Sequence, residues 1–243
     1  SGSDLASVQT RARAVDGGWI LNGTKLWSTD AQRNHYMVAL VRTGPAGESR
    51  HEGLSQFIVD LHDDGVTVRP IKNIAGDEDF NEVVFEDCFV SEENLVGAVG
   101  NGWEQVTSEL GYERSGPERF LSAFRVFVEF VRYVGASPSD EESALIGRLA
   151  SHIMTLRQMS ISVAAMLQAG KNPATEAALV KSLGNDFEKA LPELVRLFAP
   201  DLGPKHPLRC CLEQTLLHSP SFTIRGGTRE ILRGVIARGL GLR

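Results

Sequence analysis

Residues 83–110, VVFEDCFVSEENLVGAVGNGWEQVTSEL, decide the fold, because the spacing of apolar side chains changes within them. Val83-Val84-Phe85 is a short apolar run closed by acidic residues, a length that suits a strand. From about Asn101 the apolar positions are Trp103, Val106 and Leu110, at the three- and four-residue spacing of a helix. Toward the N-terminus, short apolar runs recur at Trp19-Ile20-Leu21, Tyr36-Met37-Val38-Ala39-Leu40-Val41, Phe57-Ile58-Val59 and Val66-Thr67-Val68. Asp16-Gly17-Gly18, Asn22-Gly23, Gly44-Pro45, Asp63-Asp64-Gly65 and Gly76-Asp77 punctuate them. Strands at this spacing predict an antiparallel β-sandwich or barrel over residues 1–99. Asn22-Gly23 reads as a tight turn, since both residues tolerate positive φ.

Toward the C-terminus, Phe120, Phe124, Phe127 and Val131 extend a first long helix. Pro138-Ser139-Asp140-Glu141 opens a second, followed by Leu145, Leu149, Ile153 and Leu156, and Gly170-Lys171-Asn172-Pro173 ends it. A third runs from about Ala174 to Phe198, with Pro192 as a kink. A short helix near Leu208–Leu217 and a last one from Thr228 complete the series, and Gly44–Gly53 and Gly135–Ser143 are polar loops. Strands first and helices afterwards predict an α+β chain of two domains, residues 1–99 and residues 100–243, the second an up-and-down helical bundle.

Composition narrows the function. The 243 residues are 42% hydrophobic with a net charge of −6, and no lysine- or arginine-rich tract offers a footprint for nucleic acid. No run of about 18 apolar residues occurs, so no membrane span is expected. Cys88, Cys210 and Cys211 show no CxxC spacing, and the six histidines show no ligand pattern. Neither a disulfide framework nor a metal site is expected, and a reducing compartment is the default. His152 reads as structural. The chain opens at Ser1-Gly2-Ser3-Asp4 without an initiator Met or a signal peptide, so further sequence is expected upstream.

Four segments carry a resemblance. They are Gly2-Ser3-Asp4-Leu5-Ala6; Leu21-Asn22-Gly23-Thr24-Lys25-Leu26-Trp27-Ser28-Thr29; Asn81-Glu82-Val83; and Gly226-Gly227-Thr228-Arg229-Glu230-Ile231 with Arg233 and the closing Ile236–Leu242. In this order and spacing the chain resembles the middle and C-terminal domains of the acyl-CoA dehydrogenase family, without the family's N-terminal helical domain. The resemblance implies FAD as cofactor, an acyl-CoA substrate, a homo- or hetero-tetramer and an electron-transfer flavoprotein as partner. It also implies a bacterial cytoplasmic enzyme of β-oxidation or lipid catabolism. By resemblance, Gly2 and Ser3 lie near the flavin and the CoA arm, and Trp27, Ser28 and Thr29 flank the isoalloxazine. Thr228 and Glu230 contact the flavin, and Gly227 borders the substrate. From the residues alone, the first segment reads as a capped turn, Trp27 as a core aromatic, and Gly226–Thr228 as an ordinary glycine-rich cap.

The family reaction removes an α-proton from the thioester with a carboxylate while the β-hydrogen leaves as hydride to flavin N5. A desolvated carboxylate suits that role. Many members carry this glutamate directly before Gly-Thr, where this chain has Gly226. A smaller group, which includes isovaleryl and long-chain enzymes, carries it on the first helix of the C-terminal domain, before an arginine. That helix here reads Leu110-Gly111-Tyr112-Glu113-Arg114. The resemblance therefore implies Glu113 as the base, with Gly111, Tyr112 and Arg114 along the acyl and pantetheine path. Otherwise Glu113 is a solvent-exposed helix residue paired with an arginine. Gly226 leaves volume for a branched or bulky acyl group, and helices of this kind occur in bacterial enzymes of sterol-related catabolism.

The chain departs from the family at Phe130–Ser137, where an arginine and an aromatic-glycine pair usually reach a neighbour's flavin; Arg132 is the available substitute. Leu217-His218-Ser219-Pro220 stands where a second glycine-rich loop is usual, and Arg225 replaces a residue that is often aromatic. These departures keep two alternatives open: a half-site partner subunit of a heteromeric enzyme, or an oxidase or monooxygenase on the same fold.

Overall fold

The computed structural model describes residues 2–199 and 202–242. The chain divides into two compact units, Ser1–Ser108 and Glu109–Arg243. The first holds a seven-stranded sheet: β1 (Arg11–Val15), β2 (Gly18–Thr29), β3 (Tyr36–Arg42), β4 (Leu54–Asp60), β5 (Val66–Ile71), β6 (Phe80–Ser91) and β7 (Leu95–Val96). The strand order is β5-β6-β2-β1-β3-β4-β7. Every pairing is antiparallel except β1 with β3. Leu21, Val41, Phe57, Val59, Val83, Phe85 and Val90, from four strands, form one buried cluster. β4 touches β6 although three strands separate them in the order, so the sheet curls over its own apolar face.

Two details differ from the sequence expectation. Asn22-Gly23 is not a hairpin turn: it lies within β2, where the register against β6 shifts between Leu21 and Gly23. Gly23 has φ +134, and a Cβ there would fall 2.8 Å from Thr10 Cα, so the passing backbone demands glycine. The turn is Asp16-Gly17, which joins β1 to β2 with Gly17 at φ +72. β1 itself is an additional strand, in which only Ala12 is buried.

The helices are α1 (Gly102–Ser115), α2 (Phe124–Val134), α3 (Asp140–Gln168), α4 (Ala174–Phe198), α5 (Pro207–Phe222) and α6 (Arg229–Gly239). The first two turns of α1 belong to the sheet unit, where Trp103 and Val106 pack with Val8, Leu40 and Leu54. The expected first long helix is two helices. Gly116 takes an extended conformation (φ −62, ψ 154) ahead of Pro117, which excludes the helical region for the preceding residue and lacks an N–H. Ser139 caps α3 in a reciprocal capping box with Glu142. Pro192 sits inside α4 without ending it, and α5 runs past the expected Leu217 to Phe222. Phe120, Phe130, Leu149, Leu156, Leu191 and Leu208 form the core of the helical unit. α4 packs against α2, α3, α5 and α6 and is its central helix. No helix among the described residues is long and apolar enough to cross a membrane.

Candidate functional site

In the sheet unit, Gly2 and Ser3 form an exposed turn, with Gly2 at φ +50. Asp4, next to them, accepts a hydrogen bond from Ser7 Oγ and pairs with Arg50. The Ser7 hydroxyl, ahead of the Arg50 charge, draws the Asp4 carboxyl below its ordinary range. A second register shift in β2, between Lys25 and Ser28, lifts Trp27 out of the ladder. Trp27 has φ +63, is 61% exposed, and stands edge-on to Phe80 with 5.7 Å between ring centroids. It is therefore a surface platform rather than a core aromatic. Ser28 accepts a hydrogen bond from Asn81 Nδ2 at its carbonyl, and Thr29 is exposed beyond it.

In the helical unit, the last turns of α1 present Gly111, Tyr112, Glu113 and Arg114. Tyr112 is exposed, and Gly111 packs near Leu167. Arg114 Nε donates to the Gly226 carbonyl at 3.1 Å, tying α1 to the turn before α6. Burial pulls the Arg114 guanidinium down from its ordinary range, against the opposing pull of Glu113. Arg119 grips Glu113 twice: Nε donates to the Glu113 carbonyl at 2.9 Å and Nη2 to Oε1 at 2.5 Å. Oε2 accepts no hydrogen bond among the described residues. The Glu113 side chain is 41% exposed and that of Arg119 only 9%. The carboxylate is thus held but not desolvated, unlike the expected buried base.

Gly226 and Gly227, at φ +65 and +103, make the turn into α6. A Cβ added to Gly226 would lie 3.2 Å from Glu113 Oε1, 3.4 Å from Lys181 Cε and 3.6 Å from Arg119 Cζ. The two positions at which the base was sought therefore adjoin in space. Thr228 caps α6 by accepting from the Ile231 amide. Its hydroxyl, after Glu230's own amide, draws the Glu230 carboxyl below its ordinary range. Thr228, Arg229 and Glu230 line a cavity of about 320 Å³ with Lys189, Thr223 and Ile224. A helix N-terminus beside Lys189 suits an anionic group, while Arg229 is paired with Asp186 and Glu230 shares the cavity; the exposed Trp27 face with the Thr29 hydroxyl suits a flat ring that accepts hydrogen bonds. Each unit thus carries donors that fit the half of a flavin nucleotide expected of it.

The sequence reading missed a buried charge cluster beside Glu113. Lys181, Asn185 and Glu188 on α4 are each 0% exposed. Lys181 Nζ donates to Asn185 Oδ1 and, at 2.8 Å, to the Phe222 carbonyl. Glu188 accepts from the Ser122 amide at 2.8 Å and from Arg225 Nη2 at 3.1 Å. Burial pushes the Lys181 amine down to about 7; Arg225 and Arg119 push the same way, and Glu188 and Glu113 oppose. The available signal was three polar residues on the apolar stripe of Ala177, Gly184, Leu191 and Val195. Arg132, the proposed substitute for the family's arginine, pairs with Glu129 of its own helix at 2.7 Å. His152 is exposed on α3 and packs edge-on to Phe187. A larger groove of about 510 Å³ between α3 and α4, lined by Met154, Met159 and Met166, shares no lining residue with the Glu113 cluster and carries no assigned chemistry.

The acyl-CoA dehydrogenase C-terminal domain model matches residues 100–241, and the middle domain model of the same family matches residues 1–88. The chain is 33% identical to acyl-CoA dehydrogenase FadE34 of Mycobacterium tuberculosis, over 99% of this chain and 33% of that protein. It is 33% identical to acyl-CoA dehydrogenase IpdE1 of the same organism, over 100% of this chain and 64% of that one. Mitochondrial isovaleryl-CoA dehydrogenase of Oryza sativa subsp. japonica is 30% identical over 99% of this chain and 61% of its own length. The chain thus spans less than two thirds of these relatives. Acyl-CoA dehydrogenase from Geobacillus kaustophilus shares the fold at TM-score 0.87 and 23% identity, covering 99% of this chain and 66% of that one. The Tcur3481-Tcur3483 steroid ACAD does so at TM-score 0.86 and 22% identity, covering 100% and 66%. With one family model spanning its helices and another spanning most of its sheet, the chain belongs to the acyl-CoA dehydrogenase family.

Proposed function

We propose that this chain is the base-bearing part of a flavin-dependent acyl-CoA dehydrogenase in which Glu113 removes the substrate α-proton. The observation that carries the reading is the pairing of Glu113 with Gly226: the family's usual base position is a bare glycine, and Glu113 Oε1 lies 3.2 Å from where its side chain would begin. Arg119 fixes both the backbone and one carboxylate oxygen of Glu113, leaving Oε2 to accept the proton. A bound acyl group over this exposed carboxylate excludes water and strengthens the base. Arg114 holds the Gly226 carbonyl and so keeps the turn open beside it. A flavin, when bound, supplies the acceptor for the β-hydrogen and its electron pair. Trp27 offers a packing face for its ring, Thr29 a hydroxyl donor, and Thr228 with Lys189 a setting for an anionic part.

The absent side chain at 226 favours a branched or bulky acyl group, in keeping with the isovaleryl-CoA and 2-methylacyl-CoA dehydrogenases among the relatives. Electrons then pass to an electron-transfer flavoprotein. A second reading, a partner subunit that completes a shared site, is favoured by Arg132, whose guanidinium is already engaged by Glu129.

The test is anaerobic addition of several acyl-CoAs to the full-length flavin-loaded protein. Bleaching of the visible flavin band by one of them supports the reading. Glu113→Gln should keep the flavin and slow bleaching by about a thousandfold. Bleaching at the wild-type rate in that variant sinks the base assignment. A protein that neither holds nor takes up flavin favours the partner subunit.

A further inference from the structure

Lys181 is fully buried in the central helix of its unit, yet it is not spent on an ion pair. Its ammonium donates to Asn185 and to the carbonyl of Phe222, the last residue of α5. A cation at that place caps the negative end of α5 and anchors the start of the 223–227 turn. The same side chain reaches the open face of Gly226, where Glu113 Oε1 and Arg119 also arrive.

We propose that Lys181 is a positioning residue for Glu113, holding the turn beside the base through the Phe222 carbonyl and governing proton uptake on Oε2 by its own charge. This rests on the assignment of Glu113 as the base.

The charge balance supplies the reason. Lys181 is faced by Glu113 from α1, Arg119 from the 117–119 turn, Asn185 and Glu188 from its own helix, and Arg225 from the turn after α5. On α6, Arg229 is held by Asp186. Protonating Glu113 removes one of the anions that balance Arg119, Arg225 and Lys181. A charged Lys181 therefore opposes transfer of the α-proton, and a neutral amine lifts that opposition. Burial brings the amine down to about 7, so the change falls in the working range of an enzyme. Glu188, by contrast, is committed to Arg225 and the Ser122 amide.

The experiment follows the rate of flavin reduction by a saturating acyl-CoA in the full-length holoenzyme, from about pH 6 to about pH 9. The wild-type rate should rise about tenfold across that range. Lys181→Met should flatten the profile at the high level, and Lys181→Arg, permanently charged, at the low level. A wild type that is flat, or a Lys181→Met variant that keeps the wild-type slope, overturns the proposal and leaves Glu113 as the base. If Lys181→Met does not fold, Lys181→Arg decides: a flat, slow profile supports the proposal and the wild-type slope overturns it. A wild type that no acyl-CoA reduces at any pH removes both assignments together.

Discussion

The sheet unit and the helical unit bury different kinds of polar group. In the sheet, the fully buried polar side chains among the described residues are neutral, Thr10, Ser55, Gln56 and Asn81, and the half-buried Lys25 gives its ammonium to the Leu40 carbonyl. Thr10 Oγ1 donates to the Thr24 carbonyl, Ser55 shares a hydrogen bond with Thr43, and Asn81 Nδ2 donates to the Ser28 carbonyl of β2 and to Gln32 in the turn that follows. In the helical unit, Arg119, Lys181 and Glu188 are buried as well. A neutral group costs little in a core once hydrogen-bonded, whereas a charge costs several kcal/mol unless paired. The helical unit thus bears a standing electrostatic cost at the place assigned to chemistry, and the sheet serves as a low-cost scaffold. The contrast teaches that buried charge, rather than exposed charge, is what sets the helical unit apart from the sheet.

The largest predicted effects test that contrast by repair. Glu188→Ala removes the carboxylate partner of Arg225 and of the Ser122 amide and should cost about 3–5 kcal/mol of stability. Phe57→Ala opens a cavity in the sheet core and should cost about the same. The two differ in rescue: Glu188→Leu combined with Arg225→Leu should recover most of the loss, while no partner change should repair Phe57→Ala. Denaturant midpoints measure both, and an unrescuable Glu188 loss would break the comparison.

Next in size is a pH effect that separates the units. Lys181 is pushed down to about 7 and Lys25, in the sheet, to about 8, both by burial from an ordinary 10.5. The unfolded chain therefore binds more protons than the native one above those values, so stability rises with pH up to about 10.5. Lys181→Met should remove the part of the rise that begins near 7, and Lys25→Met the part that begins near 8. Unfolding free energies measured across this range decide it; a rise unchanged in both variants would show that neither lysine titrates there.

The smallest expected effect concerns Trp27. As an exposed platform it should change stability by no more than about 0.5 kcal/mol on replacement by alanine. A loss near that of Phe57→Ala would return Trp27 to the core and erase the distinction drawn for β2.

Much of the architecture was legible because apolar periodicity reports burial directly: the change of period at Asn101, the cap at Ser139 and the helix start at Thr228 are all in the chain where the sequence indicates them. The unread parts have local causes. β1 buries only Ala12, too weak an apolar signal to mark a strand. Asn22-Gly23 has the composition of a turn, but the demand for glycine comes from Thr10 on a passing segment, which no local window contains. The phenylalanine spacing bridges Gly116-Pro117 and masks the break between α1 and α2. For the candidate site, Glu113 was singled out only through resemblance, and its neighbour Arg119 follows too closely in sequence to stand out. Lys181, Asn185 and Glu188 stayed hidden because a lysine, an asparagine and a glutamate on a long helix ordinarily face solvent.

The tie between Arg114 and the Gly226 carbonyl spans 112 residues, and that between Arg225 and the Glu118 carbonyl spans 107. Closing loops of that length costs about 4 kcal/mol of chain entropy before any contact forms. On a ribosome, Glu113 emerges more than a hundred residues ahead of the turn that completes its surroundings. Glu113 is thus among the first residues of its unit to be made, and the Gly226 turn beside it among the last.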